Sequence, residues 1–333
     1  MRTYLLPPGG AFYRANLHCH STFSDGQMTP PELKARYKSL GYQVLAITDH
    51  DILLPHDELN DEHFLTLHGY ELEVNEENGL PWPRKRSCHF CFIALEKDHL
   101  KQPCWHPEKY LFGHSGEHKT EIRIDQETSP YVRRYCPEGI SEMMHIGRDK
   151  GFFVTYNHPT WSLESYPQYS GYHGMHAMEI CNWGCVTEGY QEYNPRVYDD
   201  LLRQGKRIYC IGADDNHSSS DTGGAWVMIK AAQLEYRAIT RALEAGHFYA
   251  SQGPEIFDLY LEDGRIHVAC SPAREIVFTF GNRRALRLKA PEGETIACGS
   301  CPLEKDGVYV RITVIDPQGR PADTNAHFLD DLP

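Results

Sequence analysis

Four short apolar runs in this chain each end in histidine, aspartate or asparagine side chains, and this repetition constrains the fold more than any other feature. The runs end at residues 18–20, 48–51, 157–159 and 214–217. Each run has the length and apolar character of a buried β-strand followed by polar turn residues. Side chains that follow parallel strands gather at one rim of a β/α barrel. The sequence therefore predicts an α/β fold with its functional site at that rim.

Nine histidine, aspartate and glutamate side chains at or near such strand ends are candidate metal ligands. They are His18, His20, Asp25, His50, Glu71, His89, His158, Asp215 and His217. Imidazole nitrogens mixed with carboxylate oxygens suit zinc, manganese or iron rather than calcium. Because nine ligands are too many for one ion, the set predicts two or three divalent ions in one shared site, an arrangement typical of hydrolysis.

The apolar runs alternate with segments that carry helix signals. Strands are predicted at residues 15–19, 43–48, 64–71, 87–94, 151–156, 177–181, 207–213 and 225–230. Helices are predicted at residues 29–40, 138–150, 194–205 and 233–245, each ending at or just before a glycine. The first helix also begins with a threonine, two prolines and a glutamate, which is a typical capping sequence. This alternation predicts a parallel sheet with right-handed crossovers.

Two segments depart from the alternation. Residues 96–137 are rich in His, Pro, Lys, Glu and Tyr without periodicity, and they predict an insertion over the site, either a lid or a surface excursion. Beyond the barrel, residues 251–333 contain short alternating runs separated by glycine-containing turns, which predict a small all-β, sandwich-like appendage. The predicted organisation is a barrel at residues 1–250 followed by a β segment at residues 251–333.

Composition limits the classes of partner. A net charge of −13 argues against an extended nucleic-acid surface, although divalent ions would make the site itself attractive to a small phosphorylated substrate. The chain contains no apolar run of about 18 residues, so no membrane segment is predicted. Eleven scattered cysteines, an odd number, and an N-terminus without an apolar signal region predict free thiols and a cytoplasmic location. The oligomeric state is left open.

The order of the motifs resembles that of a known family. The segments HCHSTFSDG, ITDHD, GYE, the strand with His89, NHP, and Asp215-x-His217 are similar to the motifs of the PHP (polymerase and histidinol phosphatase) superfamily, over residues 12–255. The resemblance implies a distorted (β/α)7 barrel and a metal-dependent phosphoesterase. It also favours Glu71 over Glu73 as the acid that bridges two metals.

The resemblance implies how three metal ions would be divided among these ligands. The first would be held by His18, His20, Glu71 and Asp215; the second by Glu71, His89 and His158; the third by Asp25, His50 and His217. The implied chemistry is attack by a metal-bridging hydroxide on a small phosphorylated metabolite, nucleotide or short oligonucleotide.

Two alternatives to a phosphoesterase remain. The segment GHFYASQGPEI and the β tail are similar to the carbaryl-hydrolase-like (CehA/McbA) branch, which implies hydrolysis of a carboxylic or carbamic ester. Phosphatase members of the superfamily often place an arginine shortly after the His-Pro turn, where this chain has Thr160 and Trp161. The second alternative is a metal-binding scaffold without catalysis.

Several further residues are candidates for roles around the metals. Asp49, Asp51 and Asp214 are candidates for orienting a ligand imidazole, or else are turn and cap carboxylates. Trp161, His173, His176 and Arg196 are candidate substrate contacts, with packing or loop roles as the alternative. Lys206 and Arg207 precede a strand and are expected at the opposite rim.

Overall fold

The computed structural model describes residues 2–304 and 306–332 and shows a mixed α/β molecule with one large sheet and few helices. The strands are β1 (Thr3–Tyr4), β2 (Ala11–Asn16), β3 (Val44–Ile47), β4 (Leu65–Asn75), β5 (Ser87–Ala94), β6 (Lys101–Gln102), β7 (Arg123–Ile124), β8 (Phe152–Tyr156), β9 (Ala177–Asn182), β10 (Tyr209–Ala213), β11 (Trp226–Ala231), β12 (Phe248–Ser251), β13 (Ile256–Glu262), β14 (Arg265–Ala273), β15 (Glu275–Phe280), β16 (Ala285–Lys289), β17 (Ile296–Pro302), β18 (Tyr309–Ile315), β19 (Pro321–Thr324) and β20 (His327–Phe328). The α-helices are α1 (Pro30–Ser39), α2 (Pro137–Asp149), α3 (Tyr166–Tyr169), α4 (Trp183–Thr187), α5 (Pro195–Arg203) and α6 (Tyr236–Glu244). Short 3-10 turns lie at Asp57–Leu59, Trp82–Arg84, Gly113–Glu117, Ser219–Asp221 and Leu329–Asp331.

The predicted helices and most predicted strands are present within a few residues of the expected bounds. The helix predicted at 29–40 is α1, where the Thr29 backbone N–H and hydroxyl both donate to the Glu32 carboxylate. It ends before Gly41, whose φ of +82° is a conformation that glycine adopts without a steric penalty. Local capping chemistry therefore determines this element.

The first predicted strand, 15–19, is displaced: β2 ends at Asn16. Residues 18–20 instead hydrogen-bond to segments that follow other strands. The Thr48 N–H donates to the Cys19 carbonyl (2.8 Å), and the Asp215 N–H donates to the His18 carbonyl (3.0 Å). The residues just beyond three strand ends are thus held side by side.

The large sheet follows the order β10-β9-β8-β5-β4-β3-β2-β11-β12-β19-β18-β15-β16, with β20 beside β18. β10 also lies against β11, and a Cβ built on Gly212 would be only 3.0 Å from the Trp226 carbonyl oxygen. The eight strands from β10 to β11 therefore curve back on themselves, and apolar side chains such as Leu17, Val44 and Ile211 fill a buried cluster.

The prediction of an alternating parallel sheet was wrong at β5. This strand pairs antiparallel with both β4 and β8. Among the described residues, 3-10 turns rather than α-helices lie between β3 and β4 and between β4 and β5. The β4–β5 connection is an eleven-residue link with two prolines, too short for a helical crossover. Because β5 runs in the opposite direction, its first residues lie at the rim where β4 ends.

Two regions flank this curved section. The 96–137 segment contains the two-stranded β6–β7 pair and the Gly113–Glu117 turn. After Ser251, the described residues form strands and the Leu329–Asp331 turn. Three of these strands form a four-stranded sheet with β1 from the start of the chain, in the order β1-β13-β14-β17. None of the described helices has the length and apolar character needed to cross a bilayer.

Candidate metal centre

The structure brings all nine predicted ligands to one rim. Three follow β2 or its turn, one follows β3, one lies in β4, one begins β5, one follows β8 and two follow β10. His89 joins the others only because β5 is antiparallel, which places the start of this strand at the same rim. Seven of the nine are buried, and Asp25 and His217 are partly exposed.

Glu71 lies at the centre of the cluster. One of its oxygens is 3.2 Å from His18 Nε2, 3.3 Å from His89 Nδ1 and 3.4 Å from His158 Nε2. The other oxygen is 3.3 Å from His20 Nε2 and 3.4 Å from His50 Nδ1. A carboxylate within 3.4 Å of five imidazoles has the geometry expected of a ligand shared by neighbouring ions.

The remaining ligands complete two further groups. Asp215 Oδ1 lies 3.1 Å from His20 Nε2 and 3.2 Å from His18 Nε2. Asp25 Oδ2 lies 3.3 Å from His217 Nε2 and 3.7 Å from His50 Nε2. His20 lies close to Asp215 and also groups with Asp25, His50 and His217. It therefore lies between the ligands implied for the first metal and those implied for the third.

Cys91 was not predicted at the site. Its sulfur accepts a hydrogen bond from Asn157 Nδ2 at 3.2 Å, and it groups with His18 and Glu71 closely enough to share an ion. A thiol in a run of apolar strand residues carries no sequence signal that distinguishes it from a core residue.

The donor atoms fit divalent cations. His18 Nδ1 is 2.7 Å from Glu179, so this nitrogen carries the proton and Nε2 presents a lone pair. That lone pair faces His20 Nε2 at 3.1 Å and two carboxylates. Buried Asp215 Oδ1, His50 Nδ1 and His89 Nε2 have no hydrogen-bond partner among the described residues. A cation bound between these atoms would satisfy them and so offset the free-energy cost of burying polar atoms without partners.

The pKa shifts of the two central carboxylates and of His50 favour the protonation states that ligation requires. Burial alone would raise the pKa of Glu71 and of Asp215, but the surrounding imidazoles, His18 foremost, lower both well below the usual range. Burial lowers the pKa of His50 to about 4, and the charge of His20 adds to the effect. Ionised carboxylates and a neutral imidazole are the forms that bind metals. The same two carboxylates act against burial on His18 and His20 and raise the pKa of both imidazoles well above the usual range, so a metal would displace protons from these two ligands.

Glu179, which was not predicted from the sequence, contacts two of the candidate ligands. In addition to His18 Nδ1, it accepts hydrogen bonds from the His158 N–H and Asn182 Nδ2, both at 2.9 Å. It thus fixes the orientation of one ligand imidazole and the backbone of another. The only signal was a single glutamate within the apolar run of β9, AMEICN, where a buried carboxylate requires an explanation.

The three aspartates considered as orienting residues do not touch a ligand imidazole directly. Asp49 accepts from the Ser21 and Ser24 hydroxyls, both at 2.6 Å, and Ser24 lies 3.4 Å from His20 Nδ1. Asp51 forms a buried ion pair with Arg133. Asp214 accepts from the backbone N–H groups of residues 223–225. Asp49 therefore reaches a ligand through one serine, whereas the other two anchor loops.

Of the four candidate substrate contacts, Trp161 alone lines the cavity over the ligands. Its ring centroid is 5.1 Å from that of His158 and 5.3 Å from that of His89. His173 is exposed, and His176 Nδ1 accepts from the Val154 N–H. Both histidines precede β9 and so lie at the opposite rim. Lys206, which was expected at that rim, donates there to the carbonyls of residues 170 and 172. Arg196 pairs with Asp200 on the exposed side of α5. His173, His176 and Arg196 therefore do not line the cavity over the ligands.

The cavity over the ligands measures about 230 Å³ and is lined by acidic and aromatic groups. Besides the ligands, its walls are Glu73, Trp82, Phe112, Trp161, Gly184, Cys185, Glu188 and Asp221. No lysine or arginine is among these lining residues. Phe112, from the 96–137 segment, lies 5.2 Å from the His50 ring, and the Ser115 hydroxyl donates to the His50 carbonyl at 2.5 Å.

Comparisons with known proteins identify the family. A family model for the PHP domain matches residues 16–209, more than half of the chain, and the chain belongs to this family. The match and the grouped ligands together support a metal-dependent hydrolase.

Individual relatives are more distant. A 5'-3' exoribonuclease of Haemophilus influenzae is 38% identical over 86 residues, which is 26% of this chain and 30% of that enzyme. A two-domain protein from Bacteroides vulgatus, described as containing a predicted PHP-like metal-dependent phosphoesterase, has a TM-score of 0.45 and 15% identity, covering 97% of this chain and 98% of that one. A putative metal-dependent phosphoesterase of Bifidobacterium adolescentis has a TM-score of 0.39 and 17% identity, covering 64% and 89%.

Proposed function

We propose that this protein is a metal-dependent phosphoesterase that hydrolyses a small phosphorylated metabolite, a nucleotide or a short oligonucleotide. The observation that carries the proposal is the position of Glu71 among five imidazoles, which suits neighbouring zinc, manganese or iron ions. The likeness to an exoribonuclease favours the nucleotide members of this substrate class.

The ligand sets proposed for these ions are those that the motifs imply, although in the structure His20 groups with Asp25, His50 and His217. Glu71 would be shared, with His18, His20 and Asp215 on one side and His89 and His158 on the other; Asp25, His50 and His217 would hold a third ion. When bound, such ions supply Lewis acidity and lower the pKa of water. The curved strand section that holds the ligands is proposed to be the distorted (β/α)7 barrel of the family.

The chain's own residues would orient the ligands and exclude bulk water. Glu179 holds the proton on His18 Nδ1, so that Nε2 remains a donor to the metal. Asn157 Nδ2 donates to Glu71 at 3.0 Å and fixes the shared carboxylate. Phe112 covers His50 from the 96–137 segment, which we propose acts as a lid over the site.

The second candidate function is hydrolysis of a carboxylic or carbamic ester. It is favoured by the cavity walls, where Glu73, Glu188 and Asp221 stand without a lysine or arginine among the lining residues. Such walls oppose a doubly charged monoester more than a neutral ester or a singly charged diester.

A direct comparison of substrates tests the proposal. Purified protein loaded with Mn²⁺ or Zn²⁺ would be assayed with p-nitrophenyl phosphate, bis-p-nitrophenyl phosphate and p-nitrophenyl acetate, each with and without chelator. We expect chelator-sensitive hydrolysis of at least one phosphoester. Hydrolysis of the acetate alone would support the second function, and no hydrolysis by metal-loaded protein would support a scaffold.

Substitution of two ligands locates that activity. His50→Ala and Asp215→Asn should each lower kcat/KM by about 100-fold or more, because both remove a donor from the proposed site. Asparagine suits position 215, where φ is +47°. Circular dichroism should show an unchanged fold, and wild-type rates in both variants would refute the site assignment.

Location and domain organisation are proposed on separate grounds. All eleven cysteines are free, which is consistent with the proposed cytoplasmic location.

We propose a barrel unit at residues 1–250 and a β unit at residues 251–333, joined by the pairing of β12 with β19. The net charge supports a small-molecule substrate rather than an extended nucleic acid.

A further inference from the structure

A second cavity lies beside the candidate metal centre. It measures about 290 Å³ and is lined by Trp82, Trp161, Glu188 and Tyr190, together with Lys85 and neighbouring residues. Trp82, Trp161 and Glu188 line the first cavity as well. The two cavities therefore form one groove that leads from the ligands to the surface.

Aromatic rings follow this groove outward from the metal ligands. Trp161 contacts His158 and His89, and the Trp82 ring lies 6.0 Å from the Trp161 ring at 64°. Trp82 is 55% exposed and Tyr190 is 40% exposed. Large aromatic side chains that are exposed together beside a cavity commonly mark a binding surface.

The backbone around the two tryptophans is held rigidly. Buried Glu192 accepts hydrogen bonds from the Thr160 N–H (3.0 Å) and the Trp161 N–H (2.7 Å). Trp82 begins a 3-10 turn between Pro81 and Pro83, which restrict the backbone on both sides. A backbone that is already ordered reduces the conformational entropy lost when the residues it carries bind a partner.

The charges of the groove do not favour a polyanion. Lys85 contributes one positive charge to the outer cavity, and Glu188 contributes one negative charge. Trp161 also follows the Asn157-His158-Pro159 segment, at the place where phosphatase members of the superfamily often have an arginine that could bind phosphate. Stacking on rings, rather than ion pairing, is the interaction that these walls offer.

We propose that the groove formed by Trp82, Trp161 and Tyr190 binds a planar aromatic ring of the substrate, next to the ester that is cleaved at the metal centre. This inference rests on the proposed function and narrows its substrate class to aryl or nucleoside esters. Phosphoesters of sugars without a ring system would lack this contact.

Calorimetric titration of the Mn²⁺-loaded protein with phosphonates tests the groove without turnover, because a C–P bond replaces the ester. The ligands are methylphosphonate, phenylphosphonate and the 5'-phosphonate analogue of adenosine monophosphate. We expect both ring-bearing ligands to bind at least about tenfold more tightly than methylphosphonate. Trp82→Ala and Trp161→Ala should each weaken them by about 5- to 100-fold, the range for one stacked base.

Matched variants distinguish stacking from a general loss of structure. Trp82→Phe and Trp161→Phe should retain most of the affinity, and Phe257→Ala, which removes an exposed ring distant in sequence on β13, should bind as wild type. If the adenosine phosphonate binds more tightly than phenylphosphonate, the groove prefers a nucleobase. If these two ligands bind equally, the groove recognises a simple aryl group. Equal affinities for all three ligands, or wild-type binding by both alanine variants, would overturn the inference.

The same preparations separate this inference from the proposed function. A ring preference in protein that hydrolyses no phosphoester would refute the proposed function and leave the groove supported. Phosphoester hydrolysis without any ring preference would refute the groove alone.

Discussion

At the scale of single residues, the candidate centre depends on carboxylates that hold imidazoles in one orientation. Glu179 contacts His18, the backbone of His158 and Asn182, and Asn182 in turn donates to Asp215 at 3.0 Å. One buried carboxylate on β9 thus positions ligands that follow β2, β8 and β10.

Replacing Glu179 should therefore weaken metal binding without removing a ligand. In Glu179→Gln, an amide N–H₂ replaces one oxygen that accepts hydrogen bonds, and we expect metal affinity to fall by about 10- to 100-fold. Competition with a fluorescent chelator measures the change. Glu255→Gln, at an exposed glutamate far along the chain from the ligands, is the control and should bind metal as wild type. Unchanged affinity in Glu179→Gln would contradict the role assigned to the contact with His18.

Glu164 is a second buried carboxylate, and it should make stability depend on pH. Its oxygens accept hydrogen bonds from the hydroxyls of Tyr135 (2.8 Å), Tyr156 (2.6 Å) and Tyr172. Burial raises the pKa of Glu164 from 4.5 to about 7, although the three hydroxyls oppose this change. Between these pH values the folded protein keeps a proton that the unfolded chain has released, so raising the pH destabilises the fold.

The expected loss is about 3 kcal/mol of unfolding free energy between pH 4.5 and pH 8, because a tenfold change in proton affinity corresponds to about 1.4 kcal/mol. Urea unfolding of wild type and Glu164→Gln at both pH values measures it, since the variant has no proton to release at this position. The difference in stability between the two proteins should change by this amount. A difference that is the same at both pH values would show that Glu164 is ionised in the folded protein throughout the range.

At the scale of elements, the sequence was sufficient where a local pattern determines the structure. Capping at Thr29 and Gly41 defined α1, and apolar runs located β3, β8 and β10. The strand direction of β5 and the closure of β10 against β11 depend on long-range pairing, which no local pattern reports. The position of His173 and His176 was within reach of the sequence, because their loop precedes the predicted strand 177–181 and, like Lys206, therefore lies at the opposite rim.

The 96–137 segment is attached to the site by a buried ion pair. The Arg133 guanidinium pairs with Asp51, next to His50, and donates to the Glu73 carbonyl at 2.7 Å. Arg133→Met would leave the Asp51 carboxylate buried without its partner, which should cost about 3–5 kcal/mol of unfolding free energy. Denaturant unfolding measures this loss, and limited proteolysis should cut the 96–137 segment faster.

The neighbouring arginine provides a matched control. Arg134 is exposed and pairs with exposed Glu142, so Arg134→Met should change stability little. The double variant Arg133→Met/Asp51→Asn should recover part of the lost stability, because it removes both charges. Equal effects of the two single variants would contradict the assignment of the Arg133 pair as the attachment point.

At the scale of the whole molecule, the ligand set was the part of the site that sequence predicted best. Nine candidate ligands converge at one rim. Most of them lie at or near the end of a strand, which composition makes recognisable, whereas Glu71 lies inside β4 and was identified by its motif. Glu179 and Cys91 lie inside strands with apolar neighbours, where Cys91 resembles a core thiol and Glu179 differs only as a single carboxylate in the run. Residues that support a site from within the sheet become visible only when the strands are placed side by side.

A buried network of ion pairs connects the curved strand section with the C-terminal strands. Arg311, on β18, donates to both oxygens of Asp199 on α5, at 2.9 and 3.0 Å, and to Asp323 on β19 at 3.4 Å. Tyr309 and Tyr193 add hydroxyl donors to these two carboxylates, at 2.7 and 2.9 Å. Arg311→Met would leave buried Asp323 without its cation and Asp199 with only the exposed Arg203 at 3.8 Å, at a cost of about 3–5 kcal/mol.

Because this network joins residues more than a hundred positions apart, its loss should also change how the protein unfolds. We expect wild type to unfold in one urea transition, and Arg311→Met to show a lower midpoint with separated transitions when tryptophan fluorescence and far-UV circular dichroism are compared. All five tryptophans precede residue 251, so fluorescence follows only the N-terminal part. Arg284→Met, which removes the exposed member of a surface pair with Glu304, is the control and should unfold as wild type. Coincident transitions at an unchanged midpoint in Arg311→Met would mean that the continuous sheet through β12 and β19, rather than the buried ion network, couples the two parts.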